Sequence, residues 1–187
     1  MKKLLLAAML FATPVGISSA SAEDYIIDIE GMHAFVNFRV KHLGYSWLSG
    51  RFDKFDGKFS FNEENPSASK VTVDIDVRSV NTNHVARDKH ISDETYLNVE
   101  NHPMAHFEST SIEVTGDTTG IIKGDLTLNG VTKSVDLTAS YIGGGDDPWG
   151  GFRRGFEATT TLNPKDFDFK FDYGDVILDL YVEGVRQ

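Results

Sequence analysis

Apolar and polar residues alternate along much of the chain, and VTVDIDVRSV at positions 71–80 shows the alternation most clearly. Successive side chains of a β-strand point to opposite faces of a sheet. The segment is therefore predicted to be a strand with one apolar face, formed by Val71, Val73, Ile75 and Val77. The pattern leaves open whether another sheet, a membrane or a bound molecule covers that face.

The same period predicts about eight strands, at 34–42, 55–61, 71–79, 107–114, 122–128, 135–141, 156–162 and 176–182, with Tyr25 to Ile29 leading into the first. Asn129-Gly130 predicts a tight hairpin because both residues tolerate positive φ, and GGGDDPWGG at 143–151 predicts a long loop. SDETYLNVE, at 92–100, opens with residues that favour a helix N-terminus and stops before Pro103. We expect one short helix there, between strands three and four.

Eight antiparallel strands with short connections predict an all-β fold, and closure into a barrel would remove exposed edge strands. A two-sheet sandwich is the alternative, because periodicity alone does not say which face of each strand points inward. Residues 23–187 contain no shift in composition and no linker, so they are expected to form one domain.

The first 22 residues, MKKLLLAAMLFATPVGISSASA, have the pattern of a secretory signal peptide. Two lysines precede an apolar run, and the segment ends in Ala20-Ser21-Ala22, which has the form of a cleavage site. A membrane anchor needs about 20 apolar residues, and Thr13 and Pro14 interrupt this run. We therefore expect cleavage before Glu23 and export to a bacterial periplasm.

The chain has a net charge of −10 and no cysteine. The acidic balance argues against nucleic acid and against an anionic membrane surface as partners. The absence of cysteine excludes disulfides and a lipid-modified cysteine, and a domain of this length buries enough surface to fold without them. No stable membrane insertion is expected, and a homodimer is left open.

Common enzyme motifs are absent from the sequence, including G-x-S-x-G, H-E-x-x-H, the P-loop and G-x-G-x-x-G. The six histidines lack the spacing of a zinc site, which needs three or four converging ligands. Arg87-Asp88-Lys89-His90 is interpreted as a hydrogen-bonded brace. We predict no enzyme activity, no metal and no cofactor, and the alternative is a barrel enzyme that uses His33 or His42 as acid or base.

Aromatic residues are numerous for one small domain, with 13 Phe, 6 Tyr and 2 Trp. An ordinary packed core explains them, but an eight-stranded barrel either fills with side chains or holds one small ligand. Small residues on the apolar faces leave space that larger side chains would occupy: Gly57, Gly124, Ala139 and Ala158. A cavity for an apolar ligand is therefore a second hypothesis beside the packed core.

Four segments in series resemble the YceI family: HAFVNFRVKHLGYSWLSGRFDKFDG at 33–57, RDKHISDETYLNVENHPMAHFEST at 87–110, GDLTLNGVTKSVDL at 124–137 and GDDPWGGFRRGFEA at 145–158. Ala34 and Ile91 depart mildly from the family pattern. The resemblance implies a lipocalin-like antiparallel β-barrel that binds a polyisoprenoid, an isoprenoid quinone or another prenyl lipid, in its interior. It also implies a periplasmic location for exported members. The resemblance supplies a ligand class and no pathway, and the role that we expect is transport, storage or sensing of the lipid.

The apolar strand faces then form the predicted wall around the lipid tail: Val36, Phe38, Val40, Phe55, Phe59, Phe61, Val73, Ile75, Val77, Leu97, Phe107, Leu126, Leu128, Leu137, Tyr141, Phe156, Leu178 and Leu180. His42, Trp149 and Phe152 are predicted to lie at the mouth or near the lipid head group. A membrane β-barrel with its apolar faces turned outward is the third hypothesis, but its strands need about 9–11 residues, and many of the apolar faces here are shorter.

Overall fold

The computed structural model describes residues 22–187, which form eleven β-strands and one α-helix. The strands are β1 (Glu23–Ile27), β2 (Phe35–His42), β3 (Ser46–Phe52), β4 (Phe55–Phe61), β5 (Lys70–Asp76), β6 (Val80–Asn81), β7 (Met104–Val114), β8 (Thr119–Leu128), β9 (Val131–Asp146), β10 (Phe152–Leu162) and β11 (Val176–Arg186). Helix α1 (Val85–Ile91) lies between β6 and β7. Residues 1–21 of the predicted signal peptide lie outside the described residues, so its cleavage stays a prediction.

Eight strands close into an antiparallel barrel in the order β1, β4, β5, β7, β8, β9, β10 and β11. The ring closes where β1 pairs with β11, from Tyr25 opposite Arg186 to Ile27 opposite Gly184. Strand β2 pairs with the first half of β11, and β3 and β6 follow β2 as an extension of the sheet. The predicted barrel is therefore confirmed, and the sandwich is excluded.

The apolar faces of the strands point into the barrel. In β9, for example, Leu137 and Ala139 are buried, whereas their neighbours Asp136 and Thr138 are exposed. This orientation is opposite to the one that a lipid-facing barrel requires. Across residues 22–187, no helix has the length and apolar character needed to cross a bilayer.

The two ends of the barrel are built differently. The mouth end carries the β4–β5 connection and the β7–β8 and β9–β10 hairpins. The closed end carries the β2–β3 and β8–β9 hairpins and the connecting segments 77–103 and 163–175.

Side chains from the connecting segments plug the closed end. The plug and the strand residues around it form one buried cluster: Val80, Leu97, Phe107, Leu126, Leu137, Leu162, Phe167 and Phe169. The predicted hairpin at Asn129 and Gly130 is present, with φ angles of 49° and 75°. The buried Asn129 side chain donates from Nδ2 to the carbonyl of Phe167 at 3.0 Å, which ties the hairpin to the plug.

The single helix lies between the predicted third and fourth strands, but it covers Val85–Ile91 and not 92–100. The predicted position is wrong because Ser92 ends a helix where it was expected to begin one. Its Oγ donates to the carbonyl of Asp88 at 2.7 Å. The residues that follow form turns, with Asn98 in the left-handed region at a φ of 50°.

The predicted brace at Arg87–His90 is confirmed within this helix. Arg87 Nε donates to Thr82 Oγ1 at 2.8 Å, and Asp88 Oδ1 accepts from the Thr82 backbone N–H at 2.8 Å. His84 caps the N-terminus, since its Nδ1 accepts from the backbone N–H of Arg87 at 3.1 Å. These bonds join α1 to the end of β6.

Several strand boundaries also differ from the prediction. Strands β3 and β6 were not predicted, because serine, glycine and arginine break the alternation of SWLSGRF. Strand β3 forms because β2 pairs with it. Gly50 leaves room for the tip of the Phe38 ring, since a Cβ at this position would come within 2.3 Å of the ring. The glycines at 143–145 belong to β9, which extends to Asp146, so the predicted long loop is a short hairpin.

Candidate functional site

A cavity of about 330 Å³ lies inside the barrel and opens at the mouth end, between the β4–β5 connection and the β7–β8 hairpin. Its inner wall is apolar, and polar residues of the wall gather near the opening, among them Glu63, Lys70 and Asp117. Val71 and Val73 of β5 belong to the wall. The apolar face of the alternating segment 71–76 therefore lies against the cavity. The volume lies within the range of about 300–1,000 Å³ that is usual for small-molecule sites.

Thirteen of the eighteen predicted wall residues line this cavity: Val36, Phe55, Phe59, Phe61, Val73, Ile75, Phe107, Leu126, Leu137, Tyr141, Phe156, Leu178 and Leu180. Ile27, Val135 and Val182 line it as well and were not predicted. Contact of these side chains with a lipid stays a prediction.

Phe38 and Val40 of β2 lie outside the cavity wall, contrary to the prediction. Phe38 packs against Phe52 of β3, with ring centroids 5.7 Å apart. Val40 lies opposite Leu48 of β3, near the closed end. Both residues belong to the β2–β3 extension, which does not form part of the closed ring.

Three further predicted wall residues and one predicted mouth residue lie at the closed end. Leu97 is part of the plug, and Leu128 packs against it. Val77 is buried in a 3₁₀ helix that follows β5. His42 is exposed at the end of β2, beside the β2–β3 hairpin. The prediction that His42 lies at the mouth is wrong, because β2 runs towards the closed end.

The small residues on the apolar faces have two different roles. A Cβ at Gly124 would lie 2.4 Å from the Phe107 ring, and a Cβ at Gly57 would lie 2.7 Å from a backbone carbonyl of the next strand. Neighbouring atoms therefore already occupy the space at both glycines. Ala139 and Ala158 face each other on β9 and β10 and line the cavity. The space predicted from small residues is present at the two alanines.

Three aromatic rings stand together in the wall near the mouth. Tyr141 stacks on Phe61 with ring centroids 5.8 Å apart, and Phe156 lies 5.4 Å from Phe61 and 5.3 Å from Tyr141. Aromatic pairs of this kind contribute about 0.5–1.5 kcal/mol each beyond their burial. Each ring therefore holds the other two in a fixed orientation.

The Arg154 guanidinium lies 4.9 Å from the centre of the Phe61 ring and 5.8 Å from that of Tyr141, and the residue is only 5% exposed. Its guanidinium donates to the hydroxyls of Tyr25 at 2.8 Å and Tyr141 at 3.0 Å, and to the carboxylate of Glu63 at 2.7 Å. Burial alone would lower the pKa of Arg154, but the hydrogen bonds to Glu63 and Tyr25 raise it above its ordinary value. The side chain stays charged, and its partners compensate for its removal from water.

Tyr25 connects Arg154 to Glu23. The Tyr25 hydroxyl donates to the Glu23 carboxylate at 2.6 Å, and Arg186 donates to the same carboxylate at 2.8 Å. Burial and the bond to Glu23 raise the pKa of Tyr25, while that bond lowers the pKa of Glu23. The network contains two cations, Arg154 and Arg186, and two carboxylates, those of Glu23 and Glu63. Its charges therefore balance.

An irregularity in β9 sets the position of Tyr141. Strand β9 has one residue more than β10 at this point, and the extra residue, Ile142, is unpaired and 67% exposed. A Cβ at Gly144 would lie 2.8 Å from Tyr141 Oη and 2.9 Å from Arg154 Cγ. The contact between the tyrosine hydroxyl and the arginine therefore requires glycine at this position.

A second ionic network lies on the outer side of the mouth end. Arg153 contacts the carboxylate of Asp28 and donates to Glu183 at 2.7 Å and to Asp147 at 2.8 Å. His33 Nδ1 lies 2.9 Å from Asp28 Oδ2. The hydrogen bond with His33, reinforced by Arg153 against the opposing effect of burial, lowers the pKa of Asp28 to about 2.

Part of this outer network has the makeup of a metal site. Within residues 22–187, Asp28, His33 and Glu183 are the one set of three potential ligands whose donor atoms converge. The Arg153 guanidinium already pairs with both carboxylates, so a cation would have to displace it. We interpret the group as a brace between the β1–β2 connection, β10 and β11.

Trp149 and Phe152 lie on or beside the β9–β10 hairpin at the mouth end, where they were predicted, but they do not line the cavity. The guanidinium of Arg153 lies over the Trp149 ring, 5.2 Å from the ring centroid. The guanidinium groups of Arg154 and Arg186 lie over the Phe152 ring, 5.2 and 4.4 Å from its centroid. Both rings therefore cover arginines of the two ionic networks.

The sequence interpretation missed Arg154, Tyr25 and Glu63. One signal was available, because Arg154 shares a strand face with Phe156 and Ala158. A charged residue among inward apolar positions needs a buried partner. Glu63 lies in the β4–β5 connection, where no periodic pattern marks it.

The closed ring of eight strands around an apolar cavity defines a lipocalin-like barrel. Residues 27–183 match the family model described as a YceI-like domain. The UPF0312 protein of Ectopseudomonas mendocina is 56% identical over 191 residues, which cover 100% of both chains. The chain belongs to the YceI family.

Two solved structures share the fold. BcnA from Burkholderia cenocepacia superposes with a TM-score of 0.74 at 17% identity, over 84% of this chain and 98% of that one. A polyisoprenoid binding domain from Saccharophagus degradans, implicated in plant cell wall breakdown, gives a TM-score of 0.64 at 16% identity, over 87% and 98%. At these identities the two structures support the barrel fold alone.

Proposed function

We propose that the protein binds a long-chain polyisoprenoid in its barrel, as an isoprenoid quinone or another prenyl lipid, for transport, storage or sensing in the periplasm. The observation that carries the proposal is the apolar cavity, which is open at one end and closed by the plug at the other. A linear apolar chain can enter such a cavity and leave its polar end at the mouth. The polyisoprenoid binding domain with the same fold supports this class of ligand.

Most of the binding free energy is expected to come from the lipid tail. Each buried methylene contributes about 0.8 kcal/mol, so ten of them contribute roughly 8 kcal/mol before the cost of ordering the chain. The head group then needs only modest polar contacts. We expect stronger selectivity for chain length than for the head group.

We propose a binding protein and not an enzyme. His33 contacts Asp28 on the outer side of the mouth end, and His42 is exposed at the closed end. Neither of the two candidate acid–base groups lines the cavity. Turnover of an isoprenoid-like substrate that is lost in His33→Ala or His42→Ala would favour the enzyme instead.

The periplasmic location is proposed from the first 22 residues alone. Release of the protein by osmotic shock, with Glu23 as its first residue, is the expected result. Retention inside the cell with Met1 intact would contradict the proposal.

The ligand is tested by native mass spectrometry of the protein purified without detergent, followed by solvent extraction. A bound mass in the prenyl-lipid range, released by solvent, is expected. Ala139→Phe, which fills part of the cavity, serves as the matched control and is expected to carry less of that mass. An empty wild-type protein that also takes up no added prenyl lipid would contradict the proposal.

A further inference from the structure

The bond between Glu63 and Arg154 crosses the mouth of the barrel. Glu63 lies in the β4–β5 connection, and Arg154 lies on β10. In the closed ring, β1 and β11 stand between β4 and β10, so this 2.7 Å bond joins two parts of the molecule that no strand pairing joins. The same connection forms one side of the opening of the cavity. The bond therefore fixes the position of one side of the opening.

The β4–β5 connection, residues 62–69, is built as a unit that can move without breaking its internal hydrogen bonds. The Asn62 backbone N–H donates to Ser69 Oγ at 3.0 Å, which joins its two ends, and the Asn65 backbone N–H donates to Asn62 Oδ1 at 2.8 Å. The 3₁₀ helix within it, Pro66–Ala68, contains no buried residue. A segment that buries little apolar surface opens at a small free-energy cost. The connection is therefore the side of the opening that can shift.

Arg154 has a second carboxylate within reach when Glu63 leaves it. The Glu23 carboxylate lies 3.6 Å from Nη2, the nitrogen that binds Glu63, and the hydroxyls of Tyr25 and Tyr141 also accept from the guanidinium. The Glu63 side chain is 72% exposed, so water can solvate its carboxylate after release. A buried cation that loses its partner is strongly destabilising. Here the cation keeps a partner in both states, so release of Glu63 is possible without that penalty.

We propose that the Glu63–Arg154 bond is a latch that sets the rate at which lipid enters and leaves the cavity. With the bond formed, the β4–β5 connection narrows the opening, and with the bond broken, the connection swings outwards and the opening widens. This inference rests on the proposed function, since it requires a lipid in the cavity, and it adds the regulation of that site. A latch that binds empty and loaded protein equally changes the rates of entry and release by the same factor and leaves the affinity unchanged.

The test measures the release rate and the affinity of one probe, a radiolabelled ubiquinone with an isoprenoid tail. Transfer from the loaded protein to an excess of phosphatidylcholine vesicles gives the release rate, and equilibrium binding gives the affinity. Glu63→Gln removes the charge and keeps the size of the side chain. It is expected to raise the release rate roughly threefold, the value of one exposed ion pair, and to change the affinity by less than about twofold.

Glu113→Gln is the matched control. Glu113 pairs with Lys123 at 3.5 Å and its side chain is 60% exposed, so a similar ion pair is lost. That pair joins the adjacent strands β7 and β8, and neither residue lines the cavity. The control is expected to release ubiquinone at the wild-type rate. Added salt screens exposed ion pairs, so it should accelerate release from wild type more than from Glu63→Gln.

Three results would overturn the latch while the proposed function stands. They are release from Glu63→Gln at the wild-type rate, equal acceleration in Glu113→Gln, and a loss of affinity in Glu63→Gln as large as the gain in release rate. The last result would make Glu63 a contact of the lipid. If wild type takes up neither ubiquinone nor another added prenyl lipid, the proposed function itself fails and the latch fails with it. Thermal unfolding of both variants confirms that each is folded.

Discussion

The two ends of the barrel use the same alternating strands, but different interactions stabilise them. At the closed end, Phe167 and Phe169 pack into the strand interior and form a solid core. At the mouth end, the ionic networks around Arg153 and Arg154 surround a cavity that side chains leave open. The comparison shows that the connecting segments, more than the strands, decide which part of a barrel interior is core and which part is a site.

Truncation of the plug is expected to have the largest effect on stability. Phe167 is 2% exposed, and Phe167→Ala should lower the free energy of unfolding by about 3–5 kcal/mol because it creates a cavity in a packed core. Urea unfolding measures the loss. The matched variant is Phe55→Ala in the cavity wall, where the ring already borders open space. Equal losses in the two variants would contradict the contrast between a packed end and an open end.

Acid should weaken the mouth end and leave the plug unaffected. The pKa of Asp28 is lowered from 3.8 to about 2 in the folded protein. The folded state therefore gains about 2 kcal/mol from the ionised carboxylate above about pH 4, and loses it as the pH falls through 2. Asp28→Asn should remove this stabilisation at neutral pH and flatten the stability profile between pH 4 and pH 2.

Phe167→Ala provides the contrast for this pH experiment. It should lower the stability of the protein by the same amount at each pH, because a phenylalanine side chain carries no titrating group. If the free energies of unfolding of Asp28→Asn and wild type fall in parallel as the pH is lowered from 4 to 2, the Asp28 carboxylate is not the source of the acid sensitivity.

Filling the open part of the barrel should reduce lipid uptake without a large loss of stability. Ala139→Phe places a ring in the cavity and is expected to weaken binding of an added prenyl lipid by about tenfold, or roughly 1.4 kcal/mol. Thr138→Phe places the same ring on the outer face of β9 and is the control. Equal uptake by the two variants would mean that the lipid does not occupy the space beside Ala139.

The smallest expected effect comes from the hairpin at the closed end. Leu43 has a φ of 52° and a side chain that is 75% exposed, so it adopts a strained conformation without packing in return. Leu43→Gly should raise the free energy of unfolding by about 0.5 kcal/mol, since relief of strain exceeds the entropy cost of glycine. Lipid binding should not change, and a loss of stability would indicate that the Leu43 side chain makes a stabilising contact.

The inward-facing residues of the barrel were predictable from the sequence because a strand has a strict period of two. Phe107, Leu126 and Leu137 follow from that period. The choice of a closed barrel over a sandwich needed the argument from edge strands and the family resemblance as well. The resemblance to the YceI family added the ligand class, which periodicity does not contain. The Asn129-Gly130 hairpin was predictable because its chemistry is local.

Features that depend on distant parts of the chain were not predictable. Phe38 alternates like a wall residue, but β3 covers it, and β3 forms only because β2 pairs with it. Ser92 suits either end of a helix, and the preceding segment decides which end it takes. Arg154 finds its partners in β1 and in the β4–β5 connection, far away in sequence.

The pairing of the first strand with the last has a consequence for how the molecule folds. The bond between Arg186 and Glu23 joins residues 163 positions apart, and the backbone N–H of Gln187 donates to the carbonyl of Asp24 at 2.9 Å. Contacts this distant form slowly, because a long loop must close before they stabilise anything. Until β11 has been synthesised and has paired with β1 and β10, each of these two strands presents an open edge to other chains. The pairing of β11 with β1 and β10 is thus the step that covers these two edges.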